Sequence, residues 1–492
     1  MFLALQVFLF SSLPLLVAIL LLKSYYFSSK SHLNLPPSPP KLPLIGNFHQ
    51  LGSGSHRFLQ SMAKTYGPLM MIHIGSVPVL VASSVDAARE IMKTHDVIFS
   101  DRPFISTADR LFYGSKDIAF CKYGEYWRQV KSISVLHLLS NKRVKSYYQV
   151  REDEVAHLIK KIQEANKSVV NMSDLLLSLT NNVICRVALG KTYEGKEANY
   201  KNSLDQIGEM LGHISIGSYI PWLAWVDKLS GLHGKADKLA KEIDDFYEIV
   251  IDEHMNKKNF GDQGQDLVDI LLEVQRENST GFLLERYMIK AIIMDIFGAG
   301  TDTIFASLGW AFSEILRNPR TMKKLQQEAR KIGQGRSMIP EDDIVKMPYL
   351  KAILKEAFRL HTPAPLLVPR ESTKEVKLFG YDIPAGTQVM INAWAIARDP
   401  SIWEEPDEFR PERFLNNRMD YRGLDFELIP FGAGRRICPG ISFAEAIIEY
   451  ALANLVYKFD FSLPPEGLDM TEGDGITVHR KFPIHVIATP SK

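Results

Sequence analysis

The chain has 492 residues, and its 58 lysine and arginine residues are balanced by 57 aspartate and glutamate residues. Because this balance creates no overall field, the composition excludes a dedicated nucleic-acid binder and offers nothing to steer acidic substrates. The three cysteines, Cys121, Cys185 and Cys438, have no pairing or zinc-like spacing, which excludes a disulfide scaffold and suits a reducing compartment.

The first predicted element is an apolar segment at residues 2–22, whose polar residues are one glutamine and two serines. About 20 such residues cross the hydrocarbon core of a bilayer. Lys23 and Lys30 follow the segment, and no clear cleavage site does, which favours a retained anchor over a secretory signal. We expect a single-pass transmembrane anchor that leaves the following domain in the cytosol.

A stiff connection is predicted next, because the prolines between Leu35 and Pro43 fix φ and prevent a helix from continuing. With the basic residues before them, they make residues 23–47 a basic, proline-rich hinge. The remainder, 48–492, would suggest about three domains by length alone. We expect one large catalytic domain instead, since the motifs described below are spread along it and serve one site.

Periodicity predicts a helix-rich body with small sheets. Short runs with β character are Met70–Gly75, Val77–Val81, Glu375–Leu378 and Thr387–Asn392. Long amphipathic stretches predict helices at Glu152–Glu164, Lys235–His254 and Leu284–Arg317, the last of which is ended by Pro319.

The third long helix contains an unusual stretch, Ala299-Gly300-Thr301-Asp302-Thr303. Glycine inside a helix costs about 1 kcal/mol relative to alanine, which indicates that something bulky approaches the backbone here. The Thr303 hydroxyl can bond back to a carbonyl and open a local kink. A packing glycine beside a capped hydroxyl is the alternative interpretation of this stretch.

The most informative pattern is the loop Phe431-Gly-Ala-Gly-Arg-Arg-Ile-Cys438-Pro-Gly440. Its glycines let the backbone approach a flat macrocycle, Arg436 can offer two hydrogen bonds to a carboxylate, and amide groups can stabilise a thiolate. The loop resembles the cytochrome P-450 signature Phe-x-x-Gly-x-Arg-x-Cys-x-Gly at every fixed position. That family binds haem iron through a cysteine thiolate. A lone cysteine in a glycine-rich loop is the alternative.

The resemblance implies a haem site built from distant parts of the chain. Cys438 would be the metal ligand, with Thr303 delivering protons to iron-bound dioxygen and Asp302 feeding it protons from solvent. Lys131 stands where arginine is usual, so a bidentate contact becomes a point charge. The implied cofactor-binding residues are Cys438, Phe431, Gly432, Arg436, Trp127, Lys131 and Arg370, and the implied structural triad is Glu356, Arg359 and Arg413.

The resemblance covers essentially the whole chain and is similar in detail to the plant clan 71 of the family, for example at Ile220–Trp225. It implies a mainly α fold with small β-sheets, in a single domain behind the anchor, located in the endoplasmic reticulum membrane. The implied cofactors are haem b and O2. Because no Gly-x-Gly-x-x-Gly or Walker loop is present, electrons from NADPH would come through a separate membrane-bound reductase.

The predicted activity is NADPH- and O2-dependent monooxygenation of a hydrophobic plant specialised metabolite. A terpenoid or alkaloid skeleton is favoured, because the segments that form the pocket in the family are mostly apolar here. The predicted lining residues are Phe104, Phe112, Ile296, Phe297, Ala299, Leu366, Leu367 and Ile476. Oxidative ring closure and desaturation use the same residues and remain alternatives, with a non-enzymatic haem carrier or sensor as a remote one.

Overall fold

The computed structural model describes residues 33–52, 54–192, 206–208, 210–212, 215–256, 265–278 and 281–491. The predicted anchor at 2–22 and the first ten residues of the predicted hinge therefore lie outside the described residues.

Helices form the body of the protein, as the periodicity predicts. The first half contains α1 Ser55–Tyr66, α2 Val85–Arg89, α3 Ser106–Leu111, α4 Glu125–Ile133, α5 Asn141–Ser146, α6 Tyr148–Glu164, α7 Met172–Leu189, α8 Ile216–Tyr219, α9 Ala224–Leu229 and α10 Leu232–Met255. The second half contains α11 Leu267–Glu277, α12 Arg286–Arg317, α13 Pro319–Gly333, α14 Pro348–Leu360, α15 Ala393–Ile396 and α16 Ile441–Lys458.

The three long helices expected from the sequence are α6, α10 and α12. Helix α12 ends at Arg317 because Pro319 begins the next helix and cannot continue the preceding one. In the described part of the chain, α12 is also the helix long and apolar enough to cross a membrane, with a mean hydropathy of 1.4. It packs against α7, α14 and α16, so its apolar character belongs to the protein core.

Three small sheets lie at the edges of the helical body. β1 Leu69–Ile74, β2 Val77–Ala82, β4 Arg370–Glu371 and β7 Gln388–Ile391 form one sheet in the order β1-β2-β7-β4, in which β2 and β7 are parallel. β3 Val169–Asn171, β8 Phe459–Ser462 and β9 His485–Pro490 form a second sheet in the order β3-β9-β8. β5 Val376–Leu378 pairs with β6 Tyr381–Ile383.

The sequence predicts β1, β2, β5 and β7, but it misses the other strands. β3 and β4 are only 3 and 2 residues long. Such runs carry no periodicity, because their pairing with strands far along the chain decides their conformation. The register of β3 illustrates this, since Val169 lies opposite Ile487.

The loop at 431–440 lies where two hydrophobic cores meet. The main core surrounds α7, α12 and α16, and Phe431, Ile437 and Cys438 pack against it. A second core lies between the first sheet and α2, and it contains the fully buried Ala433. The loop is therefore held from both sides, which fixes the position of Cys438.

Candidate active site

The cysteine loop folds as one turn of 3₁₀ helix at Gly434–Arg436, followed directly by α16. Gly434 has φ +69°, and a Cβ atom there would lie 2.2 Å from the carbonyl oxygen of Met92. Only glycine permits both the left-handed backbone and this close approach. The Asp96 carboxylate accepts hydrogen bonds from the Arg435 amide at 3.0 Å and its guanidinium at 2.8 Å. These contacts join the loop to the region after α2.

The Cys438 thiol is half-buried at the end of this loop. The Cys438 amide donates to the Phe431 carbonyl at 3.0 Å, and the Gly440 amide donates to Cys438 Sγ at 3.4 Å. Burial raises the pKa of the Cys438 thiol, while the Gly440 amide and the charge of Lys131 oppose that rise. A bound metal ion would deprotonate such a thiol outright. The sulfur is therefore suited to ligate a metal.

Four cations converge beside the loop: Arg102, Arg370, Arg436 and Lys131. Their nitrogen atoms donate mainly to backbone carbonyls. Arg436 donates to the carbonyl oxygens of Ser100 at 2.8 Å, Ile118 at 3.1 Å and Cys121 at 2.6 Å. Arg370 donates to that of Ala433 at 2.8 Å, and Lys131 to that of Arg435. Most of these bonds satisfy donors without neutralising charge.

The electrostatics of this cluster show an excess of buried positive charge. Burial lowers the pKa of Arg370 and of Arg436 to about 10 each, and it lowers that of Lys131 to about 8. Burial also lowers the pKa of Arg102, and the charges of Arg436 and Arg370 lower it further. Two carboxylates placed among these groups would raise the pKa values of all four cations. The donor set therefore fits haem, which carries two propionates and needs an iron ligand at Cys438.

Trp127 is brought into the same cluster. Its indole N–H donates to the Ile118 carbonyl at 2.9 Å, and the Arg436 guanidinium lies over its ring at 4.2 Å from the centroid. Lys131 lies over the same ring at 5.0 Å. Direct propionate contacts by Trp127, Lys131, Arg370 and Arg436 thus stay predictions, although the four residues share one site.

Phe431 and Gly432, at the start of the loop, face packed side chains. The Phe431 ring lies 5.0 Å from that of Phe358 on α14, in a T-shaped arrangement. A Cβ atom at Gly432 would lie 3.7 Å from the Leu367 side chain. The loop therefore adjoins the predicted pocket segment that contains Leu367.

The predicted triad is assembled and buried. Arg359 donates to the Glu356 carboxylate at 2.7 and 2.8 Å, and Arg413 donates to it at 3.0 Å. The side chains of Glu356 and Arg359 have no exposed surface. Arg359 also donates to the carbonyls of Ala397, Pro406 and Glu408, which ties α14 to the segment before the loop. This arrangement is a structural support with saturated hydrogen bonds.

Helix α12 is open at one point in its middle. Ala299 is exposed and its neighbours Gly298 and Gly300 are half-buried, although the helix is otherwise surrounded by core residues. The Thr303 hydroxyl donates to the Ala299 carbonyl at 2.6 Å, which is the predicted back-bond. A Cβ atom at Gly300 would lie 2.9 Å from Cδ1 of Ile184 on α7. The bulky neighbour of Gly300 is thus Ile184, and the open surface for a ligand lies at Ala299.

Asp302 has a partner that the sequence did not indicate. His479 Nε2 lies 3.1 Å from Asp302 Oδ1, and both side chains are partly exposed. The sequence analysis predicts Ile476 as a lining residue of the site, but it does not predict His479 three positions later. No local pattern distinguishes His479, since its partner lies on a distant helix.

The predicted lining residues fall into two groups. Ile296, Ala299, Leu366 and Leu367 are partly or fully open, as a ligand-facing surface requires. Phe112 and Phe297 are buried in the main core, whereas Phe104 and Ile476 are 60% and 42% exposed. The lining roles of all eight residues stay predictions, and in this structure the Phe297 side chain has no exposed surface.

The same helix takes part in a pair of carboxyl groups, the half-buried Asp295 on α12 and the fully buried Asp117. Asp295 Oδ2 accepts a hydrogen bond from the Ile118 amide at 2.6 Å, which joins α12 to the loop before α4. Burial raises the pKa of Asp117 to about 6. Burial and the neighbouring Asp117 carboxyl raise the pKa of Asp295 well above its ordinary value. The pair therefore holds its protons to a higher pH than ordinary carboxyl groups do.

Comparisons with known proteins agree with this geometry. A family model described as Cytochrome P-450 matches residues 36–485. Among curated relatives, cytochrome P-450 71A2 of Solanum melongena is 56% identical over 97% of this chain and 98% of its own length. Norfluorocurarine oxidase of Strychnos sp is 53% identical over 98% of each chain, and a 3-beta-hydroxylase of Tanacetum parthenium is 52% identical over 99% of each.

The fold is similar to that of a solved zebrafish cytochrome P-450 bound to abiraterone. The TM-score is 0.77 at 25% sequence identity, and the match covers 89% of this chain and 100% of the other. The likeness therefore extends over sequence and fold.

Proposed function

Because the chain belongs to the cytochrome P-450 family, we propose that it oxidises a hydrophobic plant specialised metabolite between Cys438 and the Ala299–Thr303 stretch of α12. It is an oxidoreductase whose cofactor is haem bound by a cysteine thiolate, and it uses O2 and electrons that a reductase takes from NADPH. This enzymatic assignment sets aside the haem carrier or sensor. Cys438 is the proposed thiolate, since it alone lies in the matching loop.

When bound, haem supplies the activation of dioxygen and the transfer of one oxygen atom, with the other leaving as water. Side chains of the protein bind the haem and handle the protons. Cys438 holds the iron, and Arg436, Arg370, Lys131 and Trp127 would hold the propionates. Thr303 keeps a hydroxyl proton at Oγ1, bonded to the Ala299 carbonyl, from which it can be redirected to the reacting oxygen. Asp302 resupplies that proton from solvent.

The open, apolar stretch around Ala299 is the observation that supports a hydrophobic substrate. Ile296, Leu366 and Leu367 are the partly open predicted neighbours, and none of them can form a polar anchor. A site of this kind selects by shape and orients a compact skeleton such as a terpenoid or an alkaloid. The relatives named as an oxidase and a hydroxylase support hydroxylation or a related oxidation.

Exposed apolar side chains support the proposed membrane location. Leu42, Trp222, Trp225 and Leu229 are all at least 48% exposed. They belong to neighbouring segments, because Gly46 pairs with Ile74 and the Ser76 amide donates to the Tyr219 carbonyl. Together with the predicted anchor at 2–22, they favour a catalytic domain that rests on the cytosolic face of the endoplasmic reticulum membrane.

The test is a panel assay on microsomes that contain the protein and the NADPH-dependent reductase. Compact terpenoids and alkaloids should shift the ferric haem from low to high spin and be oxidised. Product mass distinguishes hydroxylation, which adds one oxygen, from ring closure or desaturation, which removes two hydrogens. Microsomes carrying Cys438→Ala are the matched control. Preference for fatty acids or strongly charged compounds would contradict the proposed substrate class.

A further inference from the structure

The pairing of Asp302 with His479 joins α12 to the C-terminal segment at a functional residue. His479 Nε2 is 3.1 Å from Asp302 Oδ1, within reach for a proton to pass between them. The His479 ring also lies against that of Phe305, with 5.8 Å between the ring centroids. The imidazole is therefore placed between the Asp302 carboxylate and the next turn of α12.

Hydrogen bonds from both flanking residues hold His479 in this place. The Val478 amide donates to the Pro363 carbonyl at 2.8 Å, and the Trp310 indole on α12 donates to the Val478 carbonyl at 2.9 Å. On the other side, the Arg480 guanidinium donates to the Ser313 hydroxyl at 2.8 Å. Two of these three bonds end on α12, so His479 and Asp302 keep their spacing.

A cavity of about 150 Å³ adjoins His479. It is lined by His479, Phe305, Gly309, Ser173, Arg480 and Lys481, among others. A water molecule takes up about 30 Å³, so several waters fit. Nδ1 of His479 is buried and has no hydrogen-bond partner among the described residues. In this position Nδ1 is closed to water, so a proton from the cavity reaches it only when the ring turns slightly towards the cavity that it lines.

We propose that His479 is a positioning residue for Asp302 and the route by which its protons arrive from the cavity. This inference rests on the proposed role of Asp302. When a small rotation of the ring opens Nδ1 to the cavity, hydronium there protonates Nδ1 and becomes water, the Nε2 proton passes to Asp302 Oδ1, and proton exchange of the neutral ring with water restores the starting tautomer. The charged groups around the ring are Asp302 on α12 and Arg480 and Lys481 on its own segment, while α7 contributes the neutral Ser173.

The first test uses the purified holoenzyme with reductase and NADPH and needs no added substrate. Peroxide formed per oxygen consumed reports failed proton delivery, and it is measured from about pH 6 to about pH 8, where histidine titrates. We expect His479→Gln and His479→Leu each to raise this ratio at least about twofold and to flatten its pH dependence. The exposed His485 on β9 offers the control, His485→Gln, which should behave as the wild type.

Two further measurements separate proton transfer from a merely structural role. In protein labelled at histidine, the resonance absent from His479→Gln should move in Asp302→Asn, whether or not haem is loaded. The double variant His479→Gln/Asp302→Asn should form no more peroxide per oxygen consumed than Asp302→Asn alone, because both substitutions interrupt the same proton path. Equal melting temperatures and haem content confirm that the variants fold.

The outcomes distinguish this inference from the proposed function on which it rests. If Asp302→Asn uncouples the enzyme while His479→Leu leaves the peroxide ratio and its pH profile unchanged, only the role of His479 is overturned. If Asp302→Asn also leaves coupling intact, the proposed role of Asp302 fails as well. If the two substitutions raise the peroxide ratio additively in the double variant, the shared proton path is likewise overturned.

Discussion

The two sides of the site are built in opposite ways. The cysteine side, which comprises the loop 431–440, its four cations and the triad, is buried and has its donors tied to many backbone carbonyls. The α12 side, which comprises Ala299–Thr303 and His479, is partly open and has two main polar contacts, Thr303 with Ala299 and Asp302 with His479. Many hydrogen bonds hold the side chains that bind a ligand in place, whereas few hydrogen bonds leave protons free to move.

The largest expected effect comes from removing the Cys438 side chain at the centre of the cysteine side. Cys438→Ala should abolish the red-shifted Soret band of the reduced carbon monoxide complex and all turnover, because the thiolate ligand is gone. Cys121→Ala is the matched control, since its side chain is buried nearby while its carbonyl still accepts from Arg436. Survival of the band in Cys438→Ala would show that the ligand assignment is wrong.

The next largest effect comes from disrupting the buried triad that supports the cysteine side. Glu356→Gln leaves Arg359 and Arg413 without their shared carboxylate, which should cost about 3 to 5 kcal/mol of folding free energy and much of the bound haem. Thermal unfolding and haem content measure this. Glu404→Gln, whose exposed carboxylate pairs with Arg410, should cost less than about 1 kcal/mol. Equal losses in the two variants would contradict a buried structural triad.

A change on the α12 side should separate function from stability. Thr303→Ala removes the hydroxyl bonded to the Ala299 carbonyl, which should cost only about 1 kcal/mol in stability. Product formed per NADPH should nevertheless fall at least about tenfold, with the electrons diverted to peroxide, because general acid help is lost. Thr303→Ser should restore most of the coupling. Coupling that is unchanged in Thr303→Ala would remove Thr303 from the mechanism.

The two sides also differ in how far the sequence predicts them. The cysteine loop and the Glu356–Arg359 pair are local patterns whose spacing already carries their geometry, and the structure contains both the loop turn and the ion pair. The long helices are predictable for the same reason. His479 and the carbonyls of Ser100, Ile118 and Cys121 are not, because each meets its partner across 100 or more residues. Short strands such as β3, where Val169 lies opposite Ile487, depend on remote pairing in the same way.

The smallest expected effect concerns the carboxyl groups of Asp117 and Asp295, at the boundary between the two sides. The pKa of Asp295 is raised by burial and by the Asp117 carboxyl, so the native state holds protons that the unfolded state releases. Stability from this pair is therefore greatest at low pH and falls as the pH rises above the ordinary carboxyl range and through about 6, the pKa of Asp117.

Asp295→Asn keeps the acceptor for the Ile118 amide and removes this penalty. The variant should be more stable than the wild type by on the order of 1 kcal/mol at neutral pH, and the gain should shrink towards pH 4. Urea unfolding at several pH values measures it. Asp86→Asn, at a 78% exposed side chain, should show no such trend. A gain that grows with acidity would contradict the raised pKa.

The bond between Asp96 and Arg435 has a consequence for biosynthesis. These residues are 339 positions apart, so the cysteine loop finds its anchor only after the chain between them has been synthesised. At about 5 to 20 residues per second, the region after α2 waits roughly 17 to 70 s for its partner. During much of that interval Arg370 and Arg436 have not yet been synthesised. Haem binding must therefore occur late in the synthesis of the enzyme.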